Sequence, residues 1–554
     1  MKKALLLLFA SLVFQGAAAQ PFPDTLARIE AVFANYTAQT PGCQLTVARH
    51  GKVLVSRAWG RANLEHGIPL TTSSVIEAGS VSKQFTAAAI LLLEQQGRLS
   101  LEDDVRKYIP ELPAYGGQPM RLRHLLHHTS GLKDWGAVAS LAGWGRGSMF
   151  YGNNEALEFI THQKTLNNQP GDEFIYSNSN YNLFAIIVER VSGQSLADFT
   201  RQHIFGPAGM SHTQWRDNPH RLVPNRAIAY SKGKEGYETT MPNESAYGNG
   251  GLLTTTEDLL KWQQFYLSGK LGTAPLLARQ TQTEPLTNGA PNSYAAGLFV
   301  EKVSGQDNIS HDGITAGYQA SLEIFPQSGL AIALLSNTSQ YSISGVAAAV
   351  RNIFVPTPPP AAAKTTTPFK LSEASLTAYA GWYRNSRDGA GLQLVLKDGE
   401  LLSNGKYKLL PETATRFGLG RGFLEMQGAK GLRIITAAQD TISFSKAAPA
   451  QASAQFGAYV GRYFSEETNS FLHIFQKDGK LFLSLKPHQE TELMPTYQDG
   501  FANASGFATL TFAKQRKNGM SLKVSVPRAR NVEFIKVAEP KQPPAGKGLA
   551  VAGS

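Results

Sequence analysis

Ser80 and Lys83 are the residues whose types and spacing most directly suggest chemistry. They lie in the run Val75-Ile-Glu-Ala-Gly-Ser-Val-Ser-Lys-Gln-Phe-Thr86. A serine hydroxyl attacks weakly until a neighbouring base takes its proton. A lysine serves as that base only where burial or a nearby cation lowers its pKa. The run reads as an extended segment turning into a helix. Val81, Phe85, Ala88, Ala89 and Leu92 recur at helical spacing, and Ile90, Leu91 and Leu93 make the helix apolar almost all round, as in an element buried inside a domain. Gly97 is placed to close it. Ser80 then stands at the helix start with Lys83 one turn on, and the two can meet. The amides of that first turn face any negative charge that develops there.

Ser-x-x-Lys occurs five times, at Ser80/Lys83, Ser130/Lys133, Ser231/Lys234, Ser403/Lys406 and Ser443/Lys446. Only the first opens a long apolar helix. The plain alternative is that Ser80 merely caps it. A serine–lysine pair also needs a second proton carrier and donors for an oxyanion. Tyr-x-Asn offers the former at Tyr151/Asn153, Tyr176/Asn178, Tyr247/Asn249 and Tyr383/Asn385. Tyr176/Asn178 stands out, because it follows Pro170-Gly-Asp-Glu-Phe and precedes a helix predicted from near Tyr181. His311-Asp-Gly313, the single His-x-Gly of the chain, lies just before a strand beginning at Tyr318. Backbone amides there could line a cleft.

The elements that must position these residues are legible in outline. Gln44–Arg49 and Lys52–Ala58 read as a hairpin turning at His50-Gly51. Tyr318–Phe325 and Leu330–Leu335 read as another, turning at Pro326–Gly329. Helical signals fall at Glu155–Gln163, Tyr181–Ser192, Thr256–Tyr266 and Val346–Val355, with a short segment at Leu101–Tyr108. Strands near both ends with helices between them predict one α/β domain whose middle forms a helical lobe. Residues 356–368 hold five prolines and read as a stiff linker. Beyond it the chain repeats itself. Tyr379-Ala-Gly-Trp-Tyr383 returns as Tyr459-Val-Gly-Arg-Tyr463, and Lys397-Asp-Gly399 as Lys477-Asp-Gly479, both offset by 80. Leu410-Pro411 returns as Met494-Pro495, offset by 84. Each copy shows about eight short strands, which predicts two small antiparallel barrels, with one barrel shared by both copies as the alternative.

Together, Ser80-x-x-Lys83, Tyr176-x-Asn178 and His311-x-Gly313, in that order, resemble the penicillin-recognising serine hydrolases: class C β-lactamases, D-alanyl-D-alanine carboxypeptidases, D-aminopeptidases and related esterases. His128-Thr-Ser-Gly-Leu132 and Gly250-Gly-Leu-Leu-Thr-Thr-Thr-Glu-Asp-Leu259 resemble them too. The resemblance spans roughly residues 25–355. It implies an α/β (α+β) β-lactamase-like domain with a helical lobe, followed by two all-β antiparallel barrels similar to those of D-aminopeptidases. It implies that Ser80 is the nucleophile, that Lys83 with Tyr176 is the general base, and that Asn178 contacts Lys83 and the acyl group. The amides of Ser80 and Ile314 would form the oxyanion hole, and Gly313 would keep the strand edge open to substrate. Relatives that act on β-lactams usually carry Lys-Thr-Gly where this chain has His311-Asp312-Gly313. A histidine, mostly neutral near pH 7, is a poor substitute for the lysine that binds a substrate carboxylate. The expectation is therefore an acyl-enzyme hydrolase of a small ester, amide or peptide, including peptides of D-residues. A true β-lactamase and a non-catalytic ligand- or envelope-binding protein are the alternatives.

The chain has 554 residues, and its 42% hydrophobic and 17% charged content are those of a globular protein. Residues 1–19 carry two lysines, an apolar run and Ala17-Ala-Ala19, as in a cleavable signal peptide of a periplasmic or secreted bacterial protein. Cys43 is the single cysteine, so no internal disulfide can form. The net charge of +11 is scattered rather than clustered. That argues against nucleic-acid binding and leaves room for association with an anionic envelope. His124, His127 and His128 have metal-like spacing without a nearby acidic or cysteine partner, so neither metal nor cofactor is expected. Trp135, Trp144, Phe150 and Tyr151 could form a substrate lip or simply pack a lobe. The predicted divisions are 1–19 signal, 20–355 hydrolase domain, 356–368 linker, 369–446 first barrel, 447–454 linker, 455–540 second barrel and 541–554 tail. Oligomeric state is not legible.

Overall fold

The helix that follows Ser80 is buried along almost its whole length, and the first domain is built around it. The computed structural model describes residues 22–269, 275–356 and 369–538, apart from 421, 429, 438, 451–452, 487–488 and 516–518. The predicted signal segment, most of the proline-rich linker and the C-terminal tail lie outside the described residues. A six-stranded antiparallel sheet is made of β1 (Cys43–Arg49), β2 (Lys52–Trp59), β3 (Phe299–Val303), β4 (Gln306–Thr315), β5 (Tyr318–Phe325) and β6 (Leu330–Ser336), in the order β3-β4-β5-β6-β1-β2. Both predicted hairpins are present. The join of β1 to β6, with Val47 opposite Ile332, draws the sheet from both ends of the domain.

One face of this sheet is covered by α1 (Phe22–Val32) and α6 (Ile343–Phe354), where Ile29 and Phe33 pack with Val47, Ile332 and Val350. The other face meets α2 (Lys83–Gln95), whose residues from Lys83 to Leu93 are all buried. Gly97, at φ +68°, closes α2 as a left-handed residue should. In the helical lobe α3 (Trp135–Leu141) packs on α4 (Asn178–Ser192), which packs on α2, while α5 (Thr256–Leu267) lies against β1 and β6 with Trp262 on Phe85. Two starts differ from expectation for local reasons. Helix α4 begins at Asn178 rather than Tyr181, because the Asn178 amide donates to the Asp134 carboxylate at 2.8 Å. Helix α6 begins at Ile343, because Ser342 caps it through the Gly345 amide. The Leu101–Tyr108 segment forms only a 3-10 turn at Val105–Lys107.

Each C-terminal repeat makes its own sheet, which removes the shared-barrel alternative. The second is a closed barrel of eight strands from Gly461–Ser465 to Ala529–Val537, the last pairing with the first. The first has nine strands rather than eight and nearly closes. Its two end strands, Tyr407–Lys408 and Leu410–Pro411, follow one another across Leu409, where the second repeat has the single strand Gln489–Pro495. The repeated residues do repeated work. Tyr383 donates to the Tyr379 carbonyl at 2.8 Å, and Tyr463 to the Tyr459 carbonyl at 2.7 Å. In both Lys-Asp-Gly turns the Asp and Gly have positive φ, as a two-residue hairpin of the strand-matching hand requires.

The second repeat docks on the helical lobe. Val138 and Leu141 of α3 belong to its apolar core, alongside Phe456, Leu472 and Leu483. Lys133, just before α3, is buried against Glu467 of the barrel at 2.8 Å.

Candidate active site

Ser80 lies in a 3-10 turn, Gly79–Ser82, that runs straight into α2. Two neighbours hold this turn. On one side Ala78 N donates to Leu252 O at 2.8 Å, and Leu252 N to Ser82 Oγ at 3.1 Å. On the other side β4 approaches so closely that no side chain fits between the backbones. A Cβ on Gly313 would sit 2.0 Å from Ala78 O and 2.8 Å from Ser80 N, and one on Gly79 would sit 2.7 Å from Ile314 N. Gly79 also has φ +49°. Two glycines thus bring the Ser80 and Ile314 amides to one seam.

Lys83 is fully buried. Its Nζ lies 3.0 Å from Ser80 Oγ, 2.9 Å from Asn178 Oδ1 and 2.5 Å from the Asn249 carbonyl oxygen. Burial holds its pKa well below the usual lysine value, the Arg146 guanidinium pushes the same way, Asp134 opposes, and Arg528 adds a further push downward. In the neutral amine the two carbonyl acceptors take both N–H groups. The remaining lone pair faces the Ser80 hydroxyl. That is the state in which an amine can accept a serine proton.

Tyr176 packs over the same point, its ring centroid 4.9 Å from Lys83 Nζ. Burial raises its pKa, and its interaction with Ser80 only partly offsets this, so it carries its proton at neutral pH. Its buried oxygen has no well-formed hydrogen bond among the described residues. A protonated phenol beside a serine hydroxyl suits proton relay to a leaving group better than it suits a base of its own.

His311 is buried and held neutral, its pKa lowered by burial to about 3. Its Nδ1 is 2.6 Å from the Asp312 carbonyl oxygen and its Nε2 is 3.1 Å from the Tyr294 hydroxyl. The carbonyl can only accept, so the proton is on Nδ1, and Nε2 accepts from Tyr294. The Asp312 carboxylate accepts from Ser344, which precedes Gly345 in α6. Tyr176, His311 and Asp312 line a cleft of about 490 Å³ with Gly79, Ser80, Asn178, Asn249 and Ile314, walled by Phe174 and Phe299.

The competing serine–lysine pair does not assemble. Ser130 Oγ donates to Asn180 Oδ1 at 2.7 Å, whereas Lys133 turns to Thr165 and Glu467. The three histidines are likewise occupied separately. His124 Nδ1 accepts from Arg121 N, His127 Nδ1 faces Tyr294 O, and His128 Nδ1 accepts from Ser177 N. Of the proposed lip, Trp135 and Tyr151 are core, while Trp144 and Phe150 are exposed.

Residues 29–355 match the Beta-lactamase family. The chain belongs to that family. Among its Beta-lactamase-family relatives, a D-aminopeptidase of Gluconobacter oxydans is 32% identical over 300 residues, covering 53% of this chain and 55% of the relative. The chain therefore spans about half of that relative's length. Penicillin-binding protein 4* of Bacillus subtilis is 29% identical over 69% of this chain and 89% of its own. An octameric penicillin-binding protein homologue from Pyrococcus abyssi shares the fold at TM-score 0.52 and 20% identity, over 93% of this chain and all of that one.

Ser80, Lys83, Tyr176, Asn178, His311, Gly313 and Ile314 all come together at the cleft. Sequence reasoning missed three contributors. The Asn249 carbonyl binds Lys83 through a main-chain atom, not through the side chains of its Tyr247-x-Asn249 pattern. Arg146, with Nε 2.7 Å from Glu244 Oε2, lines the cleft from a glycine-rich loop. Arg528 reaches it from the second repeat.

Proposed function

We propose that this protein is an exported serine hydrolase that forms an acyl-enzyme on Ser80 and acts on amide or ester bonds of small substrates. The observation that carries this is the Lys83 amine. It is buried, its pKa is depressed, two carbonyls hold its N–H groups, and its remaining site points at Ser80.

In this reading Ser80 Oγ attacks the substrate carbonyl while its proton passes to Lys83 Nζ. The carbonyl oxygen, now negative, is received by the amides of Ser80 and Ile314. As the tetrahedral carbon collapses, the bond to the leaving group breaks, Tyr176 gives that group its proton, and Lys83 refills Tyr176. Water then adds to the Ser80 ester by the same route, releasing the acid and regenerating the hydroxyl. Asn178 holds Lys83 in place and offers its amide N–H to the acyl group. Gly313 lets the strand edge approach the nucleophile. The neutral, occupied His311 gives substrate a wall rather than a charge at that edge of the cleft. The names of the relatives, D-aminopeptidase among them, make D-residue amides the first to try.

The test is a panel of p-nitrophenyl acetate and butyrate, D-alanine p-nitroanilide and nitrocefin, run on wild type and Ser80→Ala. Ser80-dependent turnover of an ester or D-amide with slow nitrocefin hydrolysis supports the proposal. Fast nitrocefin turnover replaces it with a β-lactamase. Silence on every substrate, without an acyl adduct at Ser80, refutes a catalytic role. Export is tested by cell fractionation.

A further inference from the structure

Arg528 belongs to the hairpin turn between Met520–Val526 and Ala529–Val537, the last two strands of the second repeat. It nevertheless lines the Ser80 cleft. Its main chain is fixed by the first domain. The Arg528 carbonyl oxygen accepts from Asp134 N at 3.0 Å and from Asn167 Nδ2 at 3.2 Å, and the neighbouring Arg530 N donates to Asn167 Oδ1 at 2.7 Å. Asp134 also accepts from the Asn178 amide, so the turn is tied to the residue that holds Lys83. The guanidinium is exposed, with Cζ 4.9 Å from the centroid of the Tyr176 ring.

The charges around it are already committed. Glu173 binds Arg530 at 2.9 Å and Arg387 at 3.0 Å. Asp440 takes Arg387 as well. Glu244 is occupied by Arg146, the other arginine of the cleft. The Asp312 carboxylate accepts from Ser344, and Asp134 accepts from two main-chain amides. Arg528 alone among these arginines has no hydrogen bond or ion pair from its guanidinium to the described residues. An arginine held over the proton relay by its backbone, with its planar fork free, is disposed to take a carboxylate.

We infer that Arg528 is the anion-recognising residue of this cleft and selects substrates that carry a carboxylate on the leaving-group side. The side follows from its place over Tyr176, which in the function proposed above protonates the leaving group. The inference rests on that reading for the side, not for the anion. It also supplies, from another domain, the positive charge that His311 lacks.

The experiment uses the full chain and two acyl thioesters that differ in one group: hippuryl thioglycolate, whose leaving group carries a free carboxylate, and its methyl ester. Released thiol is read with a chromogenic disulfide. In wild type the charged donor has the higher kcat/KM, by tenfold or more at low salt, and the margin shrinks as salt rises. Arg528→Ala lowers the charged-to-neutral ratio at least tenfold, Arg528→Lys restores part of it, and Arg528→Glu inverts it. Equal kcat/KM for the two donors in wild type, or a ratio unmoved by Arg528→Ala, overturns the inference. A purely structural role would depress both donors together and leave the ratio alone. Calorimetry on Ser80→Ala gives the second readout. If no donor is turned over in a Ser80-dependent way, the proposed function fails. Tighter binding of the charged donor that Arg528→Ala abolishes still upholds the anion site, and equal binding of the two donors overturns it.

Discussion

Replacing Gly313 by alanine puts a methyl group 2.0 Å from the Ala78 carbonyl oxygen and 2.8 Å from Ser80 N. Both are main-chain atoms, so no side chain can swing aside. Real Cβ atoms essentially never come within 3.0 Å of such neighbours, so β4 and the nucleophile turn must separate by about 1 Å. That gap is the one across which the Ser80 and Ile314 amides would share a substrate oxyanion. Losing one such donor costs roughly 10²–10³ in kcat, or about 3–4 kcal/mol of transition-state binding. The overpacking itself costs about 1–3 kcal/mol of folding stability, so the variant still folds, with a lowered melting temperature. The assay is single-turnover acylation by the best ester of the panel, with circular dichroism melting alongside. A fall of 10² or more in the acylation rate, with a cooperative melt retained, is the expected result. If Gly313→Ala acylates within threefold of wild type, the close approach of β4 does not serve the reaction, and the amide pair assigned here is not the oxyanion site.

The pH–rate profile should lose activity as pH falls through the depressed pKa of Lys83, because only the neutral amine accepts the Ser80 proton. Arg528 is one of the cations lowering that pKa, so Arg528→Gln should move the acidic limb of kcat/KM to higher pH, and a limb that stays put or moves down contradicts this. Lys83→Ala and Tyr176→Phe should each reduce turnover at least 10²-fold, whereas Ser130→Ala should keep turnover and lose about 1–3 kcal/mol of stability by leaving Asn180 Oδ1 without its donor, as steady-state kinetics and melting will report. Glu467→Ala strands the fully buried Lys133 and should cost roughly 3–5 kcal/mol. The pair Lys133→Met with Glu467→Leu should recover most of it in a chemical-denaturation series, since burial pushes both groups toward their neutral forms.

What could be read in the sequence was what local pattern encodes. The unbroken apolar run after Ser80 announces a buried helix, and α2 is one. The Lys-Asp-Gly turns demand two positive-φ residues in succession, and both copies supply them. His311-x-Gly313 could be singled out by type, but its physical reason, two backbones too close for any Cβ, appears only when β4 meets Gly79. Helix α4 began three residues earlier than its periodicity suggested, because a carboxylate from another segment, Asp134, serves its first amide. The Asn249 contact was illegible in principle, since a carbonyl oxygen belongs to every residue. The ninth strand of the first repeat came from a break at Leu409 that no composition change marks.

Arg528 was illegible for a different reason, and it changes how the chain divides. Residues 356–368 look like a boundary between a catalytic domain and two appended barrels. The packing does not respect that boundary. Helix α3 places Val138 and Leu141 in the core of the second barrel, while Lys133, three residues before the Gly136 of that helix, is neutralised by a barrel carboxylate. Between these two anchors lies Asp134, whose amide holds the Arg528 carbonyl and whose carboxylate holds the start of the helix that carries Asn178. One residue therefore joins the barrel turn to the group that orients Lys83. Removing the second barrel would uncover an apolar face on α3, leave Lys133 buried without its counter-charge and withdraw a partner from Asp134. The separable-looking repeat is part of the wall of the Ser80 cleft, and under the proposed function its sequence is where substrate preference would vary without touching Ser80, Lys83 or the seam of Gly79 and Gly313.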